Sequence, residues 1–206
     1  MSRITVGIID YGAGNIASVR RVLHSLGYRC RVTSNPDVLD QVDVLLLPGV
    51  GAFASAMAEL NRLNLITYIQ DQARLGRPII GICLGMQLLA DSSEEYGLTA
   101  GLGLIPGCVV PLSQDRCHIG WNSIEVIDPT GPLVAGDGRA VYFNHSFEFQ
   151  APAEYRSAVA RLHQDADPIV VGVQRGAMIG LQFHPEKSQL AGRQLLSSVI
   201  SELCSA

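Results

Sequence analysis

The chain is short of several things, and each scarcity removes a class of function. Its 206 residues carry 15 Lys and Arg against 19 Asp and Glu, a net charge of −4, and the basic residues are scattered rather than gathered into a stripe. That balance gives no electrostatic attraction for nucleic acid or an anionic membrane surface. Apolar runs stay below the length of a membrane span, and Met1-Ser2-Arg3 leads straight into a strand pattern without a signal-peptide region, so a cytoplasmic location is expected. The five cysteines, Cys30, Cys83, Cys108, Cys117 and Cys204, are odd in number and show no Cys-x-x-Cys spacing. This argues against a disulfide framework and a zinc site and for reduced thiols. No repeat, linker or low-complexity segment divides the sequence. With 48% hydrophobic residues the chain is long enough for one well-buried α/β core, and residues 1–206 are expected to form one domain.

What is present is organised around Arg77 to Leu89. Pro78 opens an apolar run of strand length, Gly81 and Gly85 bracket Cys83, and Met86-Gln87-Leu88-Leu89-Ala90 reads as helix. A strand, a sharp turn and a helix hold the central side chain above the carboxyl end of the strand, with the amides of the helix N-terminus pointing toward it. Gly-x-Cys-x-Gly is thus a nucleophile elbow carrying sulfur, and those amides favour thiolate over thiol. A lone Cys among aliphatic residues is ordinarily core. Glycine on both sides is not something packing asks for, whereas a strained turn with close backbone approach is.

Upstream, Ile4 to Ile9 is a continuous apolar run ending in the glycine loop Asp10-Tyr11-Gly12-Ala13-Gly14-Asn15. Val19, Val22, Leu23 and Leu26 follow at helical spacing, Gly27 closes that helix, and Cys30 to Thr33 makes a second strand. The early Gly-x-Gly invites a dinucleotide reading, but the second strand ends in Ser34-Asn35-Pro36 rather than an acidic residue, which speaks against a nicotinamide cofactor. Val42 to Leu47 is a third strand, leading into Pro48-Gly49-Val50-Gly51-Ala52-Phe53, a loop able to cradle an anion or build an oxyanion hole with its amides, or else a plain tight turn. Helices are expected over Ala54 to Leu60 and Leu65 to Leu75. To Ala90 this is a doubly wound parallel sheet, whose ligand crevice lies beyond the carboxyl ends of its strands. Beyond it come shorter strands, at Val109 to Pro111, Ser123 to Ile127, Ala140 to Phe143, Ala158 to Leu162, Ile169 to Gln174 and Met178 to Gln182, whose alternation points to antiparallel pairing laid against the parallel half. The last helix presents Leu196, Val199, Ile200 and Leu203 on one face.

A thiolate that attacks a carbonyl needs a base, and the base needs an orienting acceptor. Ile179 to Phe183 delivers His184-Pro185-Glu186, in which proline stiffens the backbone and residues two apart in an extended segment point the same way.

With these residues in view, the chain resembles a known family. Gly81 to Gln87 with His184-Pro185-Glu186 is similar to the class I, or triad, glutamine amidotransferases. Asp10 to Asn15, Pro48 to Phe53, His118-Ile119-Gly120-Trp121-Asn122, Tyr142 to Ser146 and His184 to Ser188 narrow the resemblance to glutaminase subunits of imidazole glycerol phosphate synthase, from the first strand to the last helix. Departures from the family pattern are small: Arg116-Cys117 precede His118 where Val-Pro is frequent, Asn144 replaces a common Val, and Phe147 a common Tyr. They bear on local loop shape.

The resemblance implies a three-layer, flavodoxin-like α/β fold: a mostly parallel central sheet, helices on both faces, and antiparallel strands added in the C-terminal half. It implies Cys83 as nucleophile, His184 as general base and then acid, and Glu186 as its orienter. The amides of Leu84 and Val50 would hold the oxyanion, and Gly49, Gly51, Gln87, His145 and Ser146 would contact glutamine, with no metal or cofactor. Ammonia would pass to a TIM-barrel cyclase subunit in a heterodimer, which makes imidazole glycerol phosphate and an aminoimidazole carboxamide ribotide on the way to histidine. Asn15, Trp121 and Lys187 match positions near that interface, their plainer readings being a loop cap, a core indole and a solvated amine. Val50, β-branched and averse to positive φ, would hold the loop in a resting state until the partner binds. The rival readings are a glutaminase feeding another synthase, a cysteine peptidase or deglycase on a similar elbow, and a non-catalytic binding module. Val50 with Gly120-Trp121-Asn122 disfavours a pyridoxal phosphate synthase glutaminase, His-Pro-Glu after the final strand disfavours the second, and the presence of Cys83, His184 and Glu186 together disfavours the third.

Overall fold

The computed structural model describes residues 4–112, 117–163 and 166–205; Met1-Ser2-Arg3 and Arg116 lie outside them. The first half alternates strand and helix: β1 (Thr5–Ile9), α1 (Ile16–Ser25), β2 (Arg29–Thr33), α2 (Pro36–Leu39), β3 (Val44–Gly49), α3 (Phe53–Arg62), α4 (Leu65–Arg74), β4 (Ile79–Cys83) and α5 (Leu84–Gln87). These four strands pair in parallel, and every residue of β3 and β4 is buried. That is why both read as unbroken apolar runs, since a strand covered on both faces has no polar side to show. Alternate residues go to opposite faces: Val44 and Leu46 join a core with α1 and the last helix, while Leu45 and Leu47 pack with Phe53, Leu60 and Ile69 of α3 and α4.

The second half runs through β5 (Ser92–Ser93), β6 (Thr99–Ala100), β7 (Cys108–Pro111), β8 (His118–Ser123), β9 (Glu125–Val126), β10 (Ala140–His145), β11 (Phe147–Gln150), β12 (Arg156–Ala160), β13 (Ile169–Arg175), β14 (Met178–Leu181) and α6 (Gln189–Leu203). The main sheet has eight strands in the order β2-β1-β3-β4-β14-β13-β12-β9. β14 joins β4 in parallel, and only from β14 outward is pairing antiparallel. β14, β13, β12 and β9 therefore extend the parallel sheet, the last three as its antiparallel addition, whereas the strands read at Val109 to Pro111 and Ala140 to Phe143 lie outside it. Two smaller sheets stand apart, β10 with β8 and β11-β7-β5-β6.

Three local expectations change. The helix read over Met86 to Ala90 starts at Leu84 and ends at Gln87; Leu89 and Ala90 instead donate to carbonyls three residues back, a tighter final turn. The amides of Leu102, Gly103, Leu104 and Ile105 take the carbonyls of Leu88, Ala90 and Leu89, so the segment crossing this helix end satisfies its unpaired acceptors. The strand read over Ser123 to Ile127 is divided between β8, which begins at His118, and the two-residue β9. β11 is not legible in the sequence, because Phe147 to Gln150 is too short and mixed to separate from the loop before it.

Candidate active site

Cys83 ends β4 with φ 54° and ψ −111°, a conformation that non-glycine residues reach only when their surroundings enforce it. The enforcement comes from the two glycines that bracket it. Gly81 packs against the backbone of Gly85 and Met86, and Gly85 against the carbonyl of Leu47 on β3, with no room for a Cβ at either place. α5 is a single turn and the Cys83 side chain makes no capping bond to it, so the sulfur meets the Asn144 carbonyl at 3.9 Å and Gln182 Nε2 at 3.8 Å rather than an extended helix dipole.

The strand beside the elbow, β14, leads through Gln182 and Phe183 to His184, and the single 3₁₀ turn Pro185–Lys187 carries Glu186. His184 Nδ1 donates to Glu186 Oε1 at 2.9 Å, with the two side chains 2% and 1% exposed. A carboxylate can only accept, so Nδ1 bears a hydrogen and Nε2 faces the Cys83 sulfur, the other hydrogen-bond partner of this ring. Burial opposes charging of His184, but its hydrogen bonds to Cys83 and Glu186, together with their charges, outweigh that and push its pKa up to about 9.

Cys83 opens into a cavity of about 280 Å³ lined by Val50, Gly51, Leu84, Gln87, Glu95, Tyr96, Asn144, His145, Ser146, Phe147 and His184. Parallel pairing of β3 with β4, Gly49 beside Cys83, sets the glycine loop next to the thiol. Val50 is 43% exposed, and the positive φ of this loop belongs to Gly51, at 103°. Gly49, expected at the substrate, is instead sealed in β3 outside the lining, where a Cβ would lie 2.8 Å from Gly85 N, Leu84 Cβ and the Tyr11 hydroxyl. Its glycine is required by packing beneath the cavity.

The cavity wall is held by a run of side-chain hydrogen bonds. Gln87 Nε2 donates to Phe147 O at 3.1 Å and Gln182 Oε1 at 3.0 Å, and Gln182 Nε2 reaches the Cys83 sulfur at 3.8 Å. His145 Nδ1 donates to Phe147 O at 2.8 Å, which leaves its Nε2 to accept from His118 Nδ1 at 3.1 Å. Burial, with His118 and His184 close by, pulls the His145 pKa down to about 4 despite the Phe147 carbonyl.

The sequence reading missed Glu95, Gln182 and the part played by Tyr11. Glu95 is the acidic residue in the cavity lining, and its carboxylate accepts the Phe53 amide at 2.6 Å. In the sequence it sits in Ser93-Glu94-Glu95-Tyr96, indistinguishable from a solvated acidic turn. Gln182 precedes the His-Pro-Glu by two residues and carries no signal beyond strand periodicity.

Two of the three residues matched to an interface, Trp121 and Lys187, meet at the Tyr142 ring. Trp121, on β8, is 48% exposed, so it is no core indole, and its ring meets Tyr142 edge-on at 5.9 Å. Lys187 Nζ sits 5.5 Å over the Tyr142 ring, which in turn lies 6.4 Å from His184. Asn15 occupies the N-cap of α1 but makes no side-chain capping bond. Among the described residues, no cluster of three His, Cys, Asp or Glu is arranged to hold a metal, and no helix is long and apolar enough to cross a membrane.

Comparison with known proteins gives the same picture from outside. The family described as glutamine amidotransferase class-I matches residues 7–200. The imidazole glycerol phosphate synthase subunit HisH of Streptococcus gordonii is 42% identical over 194 residues, 92% of each chain. The subunit HisH of Exiguobacterium sibiricum is 41% identical over 209 residues, 98% of this chain and 97% of that one. Among solved structures, PurLQS from Thermotoga maritima superposes with a TM-score of 0.78 at 21% identity over 98% of this chain and 100% of that one, a likeness of fold. A glutamine amidotransferase, also from Thermotoga maritima, gives 0.70 at 16% identity over 100% of both chains, again a likeness of fold. A strained cysteine turn backed by a buried His-Glu pair fits the family that residues 7–200 match: the chain belongs to the class-I glutamine amidotransferase family, among the HisH-type subunits of imidazole glycerol phosphate synthase.

Proposed function

We propose that this chain, a single glutaminase domain in the cytoplasm, hydrolyses glutamine and passes the ammonia to a TIM-barrel cyclase subunit. That partner, joined to it as a heterodimer, makes imidazole glycerol phosphate and an aminoimidazole carboxamide ribotide in histidine biosynthesis. The observation that carries the reading is Cys83 held at positive φ beside the buried His184–Glu186 pair. Cys83 attacks the side-chain carbonyl of glutamine, and His184, taking the thiol proton, returns it to the departing nitrogen as ammonia leaves. Glu186 holds the imidazole in the tautomer that presents Nε2 to sulfur. The γ-glutamyl thioester is then hydrolysed by water activated at the same imidazole. Leu84 and Val50 amides serve the oxyanion, and Gly51, Gln87, His145 and Ser146 line the bound side chain.

The exposed strip of Ile119 and Trp121, with Lys187 and Asn15, is the surface offered to the cyclase. Val50, at the cavity mouth and without positive φ, keeps the second oxyanion donor turned away in the isolated chain, and cyclase carrying its nucleotide supplies the free energy to rotate it. One missing oxyanion donor is worth roughly 10²–10³ in rate. Glutamine hydrolysis should therefore be slow for the isolated chain and rise by about that factor with cyclase and nucleotide together. Equal rates in both conditions would rule out the switch, and the absence of glutamate release in both would overturn the glutaminase reading.

A further inference from the structure

The loop from Pro48 to Phe53 is tied at its two ends by side chains from two other parts of the chain. At the first end the Tyr11 hydroxyl donates to the Pro48 carbonyl at 2.7 Å. This phenol is 1% exposed, and its oxygen lies against Gly49, where a Cβ would come within 2.8 Å of it. Burial, and then the charge of Cys83, drive the Tyr11 pKa upward, so the group stays a neutral donor whenever the enzyme works. Gly14, with φ 131°, packs the same glycine loop onto the Pro48 ring. At the other end the Phe53 amide, the first of α3, donates to Glu95 Oε2 at 2.6 Å in place of the capping side chain that Ala52 cannot supply. Gly51 lies between the ties, in open space at φ 103°.

Building on the glutaminase reading above, we propose that Tyr11 and Glu95 are positioning residues that clamp this loop at Pro48 and Phe53, confining the rotation that forms the oxyanion hole to the peptides between Gly49 and Ala52. The physical reason is entropic. A loop fixed at both ends has few conformations to lose when its amide turns to the oxyanion, whereas a loop free at either end dilutes the competent geometry. The clamp acts on the chemical step, because the oxyanion exists only after sulfur has attacked.

The test uses the full chain with its cyclase and nucleotide. Tyr11→Phe keeps the ring and removes only the donor; it is expected to lower kcat for glutamine about tenfold, part of what losing an oxyanion donor outright would cost, and to leave KM within about twofold. Glu95→Ala, which releases the Phe53 amide, is expected to fall about tenfold further in kcat than Glu95→Gln, which keeps an acceptor. A merely structural tyrosine would lower the melting temperature and leave kcat alone. Amide hydrogen exchange on the wild type gives a measurement that does not depend on any variant folding: Phe53 should be protected while Val50 and Gly51 exchange quickly. Uniform exchange across residues 50–53, or an unchanged kcat in Tyr11→Phe against an active wild type, overturns the clamp alone. A wild type that releases no glutamate overturns the glutaminase reading and the clamp with it.

Discussion

Gly81 and Gly85 face each other across the turn that holds Cys83: a Cβ on Gly81 would lie 2.5 Å from the Gly85 carbonyl oxygen, and one on Gly85 only 1.9 Å from that of Leu47. The clash is with backbone on β3, so no side chain can move aside to relieve it. Gly85→Ala is expected to cost about 3 kcal/mol of stability, the upper end for overpacking, and to displace the thiol with the turn. Chemical denaturation followed by a glutaminase assay reads both; a variant of wild-type stability would show the turn to be slacker than these contacts require.

His184 and His145 give stability opposite pH dependences. His184 is raised to about 9 from an unfolded value near 6.5, so its contribution is complete below about pH 6.5 and is lost as pH climbs through 9. His145 is lowered to about 4, so the unfolded chain binds its proton first and stability falls as pH drops from about 6.5 through 4. Denaturation midpoints between pH 4 and 9.5 should peak near 6.5. Replacing Glu186 with Gln removes a charge that helps raise His184, and the decline on the alkaline side should flatten; an unaltered slope would contradict the assignment.

Removal of His184 and of Glu186 should cost unequal amounts. His184→Ala deletes the group that moves the proton and is expected to lose about 10³-fold in kcat, within the range for general acid–base catalysis. Glu186→Ala leaves an imidazole that still reaches sulfur in a fraction of its orientations, so its loss should be smaller. Equal losses, measured with cyclase and nucleotide present, would give Glu186 a more direct role.

The cysteines should divide by reagent. Cys83 is buried, while Cys117 and Cys204 are exposed. Burial, then the Asp43 carboxylate, raises the Cys204 pKa and slows its thiolate chemistry. A glutamine-mimicking electrophile should label Cys83 alone and abolish turnover, whereas a small neutral alkylator should reach Cys117 first. Peptide mapping decides, and turnover lost with Cys83 unlabelled would remove it from the reaction.

Residue order alone specifies the parts whose cause is local. Runs buried on both faces, such as β3 and β4, read as apolar without interruption, and a cysteine between two glycines declares a turn that backbone sterics demand. His184-Pro185-Glu186 can be read as a pair because two residues along one strand end share a side. What depends on partners far along the chain is settled only when the fold has formed. Gly49 reads as a flexible loop glycine and proves to be a packing position under Gly85 and Tyr11, thirty-six residues on in one direction and thirty-eight back in the other. Glu95 becomes a loop anchor through an amide forty-two residues away, and His145 takes its tautomer from His118 and Phe147 together. A hydrogen bond across such separations leaves no period or spacing in the sequence, because its two ends are brought together only when the sheet between them has formed.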